Sequence, residues 1–190
     1  IVTGSASGIG AAVARQLSVQ GAHVIVADLQ EEAGAALAAE IGGTFAQVDV
    51  TNTDQILAAV ELAVSIAPLR VLVNSAGIGW AQRTVGREPS VETAADLDAF
   101  KKVIAVNLVG SYDCIRLAAT AMAHNEPVES GERGVIISMA SVAAFDGQIG
   151  QSAYSASKGG IVGMTLPIAR DLAVIGVRVN AIAPGLIDTP

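Results

Sequence analysis

Thr3-Gly4-Ser5-Ala6-Ser7-Gly8-Ile9-Gly10 follows two apolar residues, Ile1 and Val2, and opens a stretch of helical pattern. Glycines at this spacing let the backbone turn tightly and bring main-chain N–H groups close to a ligand. A helix starting there aims free N–H groups and the positive end of its dipole at the turn, which suits a pyrophosphate. Such a turn is weak alone; its context makes it specific. The apolar run His23-Val24-Ile25-Val26-Ala27 reads as the next strand, and Asp28 ends it. A carboxylate there can accept both hydroxyls of a ribose and repels a phosphate added to it. Strand, turn, helix, strand and acid in this order predict a dinucleotide-binding α/β unit.

Outward from that unit the same alternation continues. Helices are expected over residues 8–20, closed by Gly21, and 30–41, closed by Gly42-Gly43. A third strand over 44–48 leads to Asp49, and Thr51-Asn52-Thr53 offers caps for a helix reaching residue 66. A fourth strand over 70–73 delivers Asn74-Ser75-Ala76-Gly77 to its carboxyl end, where open α/β sheets bind ligands. An irregular polar loop, residues 79–92, and one long helix, residues 96–124, come next. An acidic connection over 125–134 precedes a fifth strand over 135–139. The following helix carries Tyr154 and Lys158 and runs to about residue 175, with Pro167 inside it. Its Gly159, Gly160 and Gly163 predict close packing against a neighbour. A sixth strand over 177–182 ends at Pro184-Gly185. The expected architecture is a single domain, residues 1–190, with a Rossmann-like doubly wound parallel sheet and helices on both faces.

Composition agrees. Hydrophobic residues make up 52% and charged residues 15% of 190, as for a sheet covered on both sides. The formal charge of −7 argues against a nucleic-acid or anionic-membrane surface, and the apolar runs read as too short for a membrane span. The single Cys114 rules out a disulfide framework and reads as a buried structural thiol. His23 and His124 stand apart from any ligand-like cluster, so no metal site is expected. Both ends read as cut, with the start of the first strand and a C-terminal substrate-covering segment missing.

The chemistry concentrates between Ser141 and Lys158. Tyr154 and Lys158 are four residues apart and share one helix face. A phenol is a poor base at neutral pH, and a cation held beside it favours the phenolate. Ser141 follows the fifth strand, where a loop can turn its hydroxyl toward the oxygen that the phenol serves. Gln148 and Gln151 lie on the approach to Tyr154 and can contact substrate.

Taken together, Thr3 to Gly10, Asn74-Ser75-Ala76-Gly77, Asn107, Ser141, Tyr154 with Lys158, and Pro184-Gly185 resemble the short-chain dehydrogenase/reductase family along the whole chain. The resemblance implies hydride transfer between a nicotinamide cofactor and an alcohol or ketone. Ser141, Tyr154, Lys158 and Asn107 would be catalytic. Tyr154 would act as acid/base, Lys158 would also bond the nicotinamide ribose, and Asn107 would support a water leading from Lys158. The alternative for Asn107 is a structural role at a helix kink. The cofactor would lie on Gly4, Ser7, Gly8, Ile9, Gly10, Asp28, Leu29, Asp49, Val50, Asn74, Ser75, Ala76, Gly77, Tyr154, Lys158, Pro184, Gly185, Ile187 and Thr189. Substrate would meet Ser141, Gln148, Gln151 and Tyr154. Asp28 points to NAD rather than NADP; its competing role is to cap the next helix. Within the family, the run from Val142 to Ala173 most resembles the type-2 3-hydroxyacyl-CoA dehydrogenase branch. That implies an acyl-CoA or similar secondary alcohol as substrate and a homotetramer. No signal-like segment opens the sequence, so a cytoplasmic setting is expected, or a mitochondrial one if a preceding segment carries targeting information. A 3-oxoacyl-carrier-protein reductase, a steroid or sugar alcohol dehydrogenase, and a non-catalytic dinucleotide sensor are the alternatives.

Overall fold

Alternating strands and helices joined by short connections can pack only as a parallel sheet with crossovers. A computed structural model of the chain, describing residues 1–187, has that form. The elements are β1 (Val2–Thr3), α1 (Gly8–Val19), β2 (Ile25–Asp28), α2 (Glu31–Ile41), β3 (Thr44–Gln47), α3 (Thr53–Ile66) and β4 (Val71–Asn74). Then follow α4 (Leu97–Ile104), α5 (Ser111–Ala123), β5 (Gly134–Met139), α6 (Ser152–Ala173) and β6 (Val177–Ile182). The six strands are all parallel, in the order β3-β2-β1-β4-β5-β6. Val2 faces Val26 on one side and Val73 on the other, so β1 is the centre from which the chain winds first one way and then the other. The two halves diverge beyond the carboxyl ends of β1 and β4, leaving a crevice there.

Two apolar layers hold the sheet. Val2, Val24, Val26 and Val73 pack with Ala11 and Ala14 of α1 and Leu37 and Ala38 of α2. On the opposite face Ile25, Leu72 and Ile136 meet Ile56 and Val60 of α3, Ile115 and Met122 of α5, and Ile168 of α6. Each of those large side chains contributes roughly 1.5–3 kcal/mol by leaving water. The alanines contribute closeness, since few aromatics fill the space between helix and sheet. Local signals set the helix ends: Asn52 accepts from the N–H groups of Asp54 and Gln55, Asp96 from those of Asp98 and Ala99, and Gly42 closes α2 in a left-handed conformation.

Several expectations need correction. Asp28 and Asn74 are the last residues of their strands rather than the residues after them. The helix foreseen over 96–124 is one continuous helical run, but Ala105–Gly110 forms a π turn between α4 and α5. By length and composition alone that run, Leu97–Ala123, is long and apolar enough to cross a membrane. Its Val103, Cys114, Ile115, Ala118 and Met122 are buried within this domain. Burial pushes the Cys114 thiol up to about 12, which leaves it unreactive. Of the three glycines in α6, Gly160 packs against Leu108, where a Cβ would lie 2.6 Å from Cδ2, whereas Gly163 faces open space.

Candidate active site

The crevice at the carboxyl ends of the strands is a cavity of about 1360 Å³ reaching from Asp28 to Tyr154. Pockets for one drug-sized ligand run to roughly 1,000 Å³. The extra space suits a dinucleotide with a second, smaller molecule beside it.

The β1–α1 turn forms one end. Gly4 has φ +62°, and a Cβ on it would lie 2.5 Å from Ala76 Cα. A side chain on Gly10 would overlap the Gly4 carbonyl oxygen. The turn therefore closes on itself and seats directly on the loop after β4. Thr3 reinforces this seat: its Oγ1 accepts from the N–H groups of Ser75 and Ala76, at 3.2 Å each. Ser7 begins α1 without a side-chain cap, so the first N–H groups of the helix remain available beside Gly8, Ile9 and Gly10 on the cavity wall. Asp28, buried, accepts from Ala6 N at 2.9 Å and from Gln30 N at 3.0 Å, one bond to each oxygen. Its carboxylate thus braces both the glycine turn and the entry to α2, so the helix-supporting role is present, and the lone pairs left over serve the cavity. Leu29, Asp49 and Val50 continue this wall; Asp49 Oδ1 accepts from Thr51 N and Oγ1, leaving Oδ2 open. An uncapped helix start, a turn without side chains and a braced carboxylate together fit a nicotinamide dinucleotide.

The other end gathers the hydroxyl, the phenol and the amine. Ser141 starts a short 3-10 turn, Val142–Ala144, and its Oγ accepts from Ala143 N at 3.1 Å. That bond uses oxygen lone-pair capacity and leaves the O–H to donate. Tyr154 lies in the first turn of α6 and Lys158 one turn on, with Nζ 5.7 Å from the ring centroid. The ammonium donates to the Met139 carbonyl at 2.6 Å, which locks α6 to the end of β5. Gln148, Gln151, Pro184, Gly185 and Ile187 also line the cavity. Thr189 lies outside the described residues.

Burial lowers the Lys158 ammonium from 10.5 to about 8. The unfolded chain then holds this proton more tightly than the folded one, so the cost is complete below about pH 8 and is relieved as pH rises toward 10.5. Urea denaturation should show wild type gaining on Lys158→Met across that window, by at most about 3 kcal/mol. A difference constant with pH would mean that the ammonium is not desolvated.

Two predicted residues stand off the wall. Asn74 is buried in the sheet, where Nδ2 donates to Ser111 O and Ser138 Oγ; it does not line the cavity. Asn107 is fully buried in the π turn. Its Nδ2 donates to Ile78 O and Ser157 Oγ, and its Oδ1 accepts from Ile78 N at 2.8 Å. Both amide hydrogens are spent tying the loop after Gly77 to α6, rather than mending a kink in the residue's own helix. One lone pair on Oδ1 remains. A Cβ built on Gly77 would lie 3.3 Å from that oxygen and 3.6 Å from Lys158 Nζ, so the two groups flank one small space.

Sequence reasoning missed Ile78, Trp80, Lys102, Met139, Val142 and Asp146 on the walls. Their positions depend on loop paths and the π turn, and no residue pattern announces them. Asp146 alone had a signal, as a charge inside the 141–158 stretch.

The family described as short chain dehydrogenase matches this chain over residues 1–190. The chain is 51% identical to 3-hydroxyacyl-CoA dehydrogenase type-2 of Bos taurus, over all of its own length and 73% of that protein. It is 50% identical to the protein of that name from Drosophila melanogaster, again over its full length and 75% of the relative. The crystal structure of 3-hydroxyacyl-CoA dehydrogenase type-2 from Mycobacterium avium superposes with a TM-score of 0.95 at 46% identity, covering all of this chain and 74% of that one.

Proposed function

This chain belongs to the short chain dehydrogenase family, and from that membership and the cavity we propose that it is an NAD-dependent dehydrogenase interconverting 3-hydroxyacyl-CoA and 3-oxoacyl-CoA. The observation that carries the reading is the meeting of Ser141, Tyr154 and Lys158 in the same cavity as Asp28. The substrate class rests on the relatives, about half identical over the full chain, and on the apolar groups near the cavity mouth. Trp80 and Val142, on the cavity wall, leave much of their surface exposed, which suits an acyl chain.

The bound dinucleotide supplies the hydride acceptor for oxidation and the donor for reduction. The chain does the rest. Ser141 Oγ–H donates to the substrate oxygen and orients it. In oxidation Tyr154 Oη takes the alcohol proton as the carbonyl forms; in reduction it gives that proton back. The Lys158 ammonium, 5.7 Å from the phenol ring centroid, holds its side of the site and can bond the nicotinamide ribose. The free lone pair of Asn107 Oδ1 can hold a water between Lys158 and solvent. Asp28 selects NAD, because its carboxylate is anchored by two backbone N–H groups and cannot swing away from a ribose phosphate. The same reading carries a homotetramer: Leu97, Val109, Tyr112 and Leu166 on the outer faces of α4 to α6 remain exposed.

A panel of 3-hydroxybutyryl-CoA, a steroid alcohol and a simple secondary alcohol, each offered with NAD and with NADP, tests this. The expected result is fastest reduction of NAD by the CoA thioester, with Asp28→Ala lowering the NAD:NADP preference at least tenfold. Turnover of the simple alcohol alone would sink the substrate class, and an unchanged preference would clear Asp28 of selecting the cofactor.

A further inference from the structure

Ser157 lies on α6 between Tyr154 and Lys158, directly before the lysine. It is fully buried and does not line the cavity. Its Oγ–H donates to the Tyr154 carbonyl at 2.7 Å, and its Oγ accepts from Asn107 Nδ2 at 3.1 Å. A hydroxyl has a single hydrogen. With that hydrogen on the Tyr154 carbonyl, Ser157 meets Asn107 as an acceptor, and the direction of both bonds is fixed.

Asn107 carries the connection onward. Its Nδ2 also donates to Ile78 O at 2.9 Å, and its Oδ1 accepts from Ile78 N at 2.8 Å. Ile78 closes the loop Ser75–Gly77 after β4, which lines the cavity and is held at its start by Thr3 Oγ1. A run of hydrogen bonds therefore leads from this wall through Asn107 and Ser157 to the backbone of Tyr154. Among the described residues no other hydrogen bond joins residues 75–79 to α6. Gln82 N donates to Gly150 O at 2.9 Å, but that bond joins a later loop to the segment before α6. Lys158 bonds the Met139 carbonyl, which ties α6 to β5 instead.

In the reading above, the loop after β4 seats the dinucleotide and α6 carries the acid/base. The phenol must reach the substrate oxygen while the substrate carbon faces the hydride carrier. About 1 Å of misplacement between such groups costs on the order of 10²-fold in rate. We propose that Ser157 is a positioning residue, whose hydroxyl pins the turn carrying Tyr154 to the wall that seats the dinucleotide. It thereby sets the distance between the acid/base and the hydride carrier. This rests on the dehydrogenase reading and holds for any alcohol of that class.

The test is Ser157→Ala, assayed with whichever alcohol of the three above wild type oxidises fastest. kcat should fall on the order of tenfold. KM for that alcohol, and NAD affinity read from Trp80 fluorescence, should stay within a few-fold of wild type. Thr165→Val is the matched control: it removes a hydroxyl-to-carbonyl bond of 2.7 Å, to Ile161, from the same helix, and its kcat should equal that of wild type. In a Tyr154→Phe background, Ser157→Ala should change the residual rate by less than about twofold, because the group it positions is gone. A kcat loss that is absent, that Thr165→Val reproduces, or that recurs in full without the phenol would overturn the role of Ser157 and leave the dehydrogenase reading standing. A wild type that oxidises none of the three alcohols would overturn that reading and the role of Ser157 together.

Discussion

Tyr154→Phe is expected to lower kcat for NADH formation by roughly 10²–10⁴-fold, the usual worth of a positioned acid/base. The substitution removes one oxygen and keeps the ring over which Lys158 Nζ sits at 5.7 Å. Among the described residues the phenol oxygen is tied to no other protein group, so its loss strands no buried partner. Folding and dinucleotide binding should therefore persist. Trp80, the single tryptophan, lines the cavity and offers the readout. Its fluorescence should titrate with NAD in the variant within a few-fold of wild type. Retained turnover would take the phenol out of the reaction. Lost turnover with lost binding would instead show damage to the site.

Gly10→Ala should act through the backbone. The added methyl would overlap the Gly4 carbonyl oxygen, and no flexible side chain stands there to yield. Overpacking of this kind costs roughly 1–3 kcal/mol. For a chain of this size each kcal/mol lowers Tm by about 2–4 °C, which gives a fall of about 2–12 °C. The turn must also open away from Ala76, which spoils the row of N–H groups at the start of α1, so NAD affinity should fall at least tenfold. Gly163→Ala is the matched control. Nothing lies within 4 Å of its added Cβ, and alanine is the better helix former, so Tm should stay level or rise. Equal losses in both variants would mean that the turn is looser than its contacts imply.

The parallel sheet was legible because its signals are local and repeated. Apolar runs, Gly42 after α2, the Asn52 cap and the Gly4 to Gly10 turn each act within a few residues. Strand and helix edges moved by a residue or two, which matters only for Asp28 and Asn74, drawn into the ends of β2 and β4. The π turn at Ala105–Gly110 was not legible. No proline or glycine pair marks it, and Asn107 within it bonds to Ile78 and Ser157, residues distant in sequence. Asn74 was expected at the cofactor and instead spends its amide on Ser111 and Ser138 inside the sheet, a role set by neighbouring elements.

From residue order alone came the fold class, the glycine turn, the acid after the second apolar run, and the spacing of Tyr154 and Lys158, because periodicity and turn chemistry act over short stretches of chain. The fold alone decided that Lys158 is buried against the Met139 carbonyl and that Asp28 is gripped from both sides. Charge and solvation depend on what surrounds a group in space, and here the surroundings are residues up to dozens of positions away along the chain.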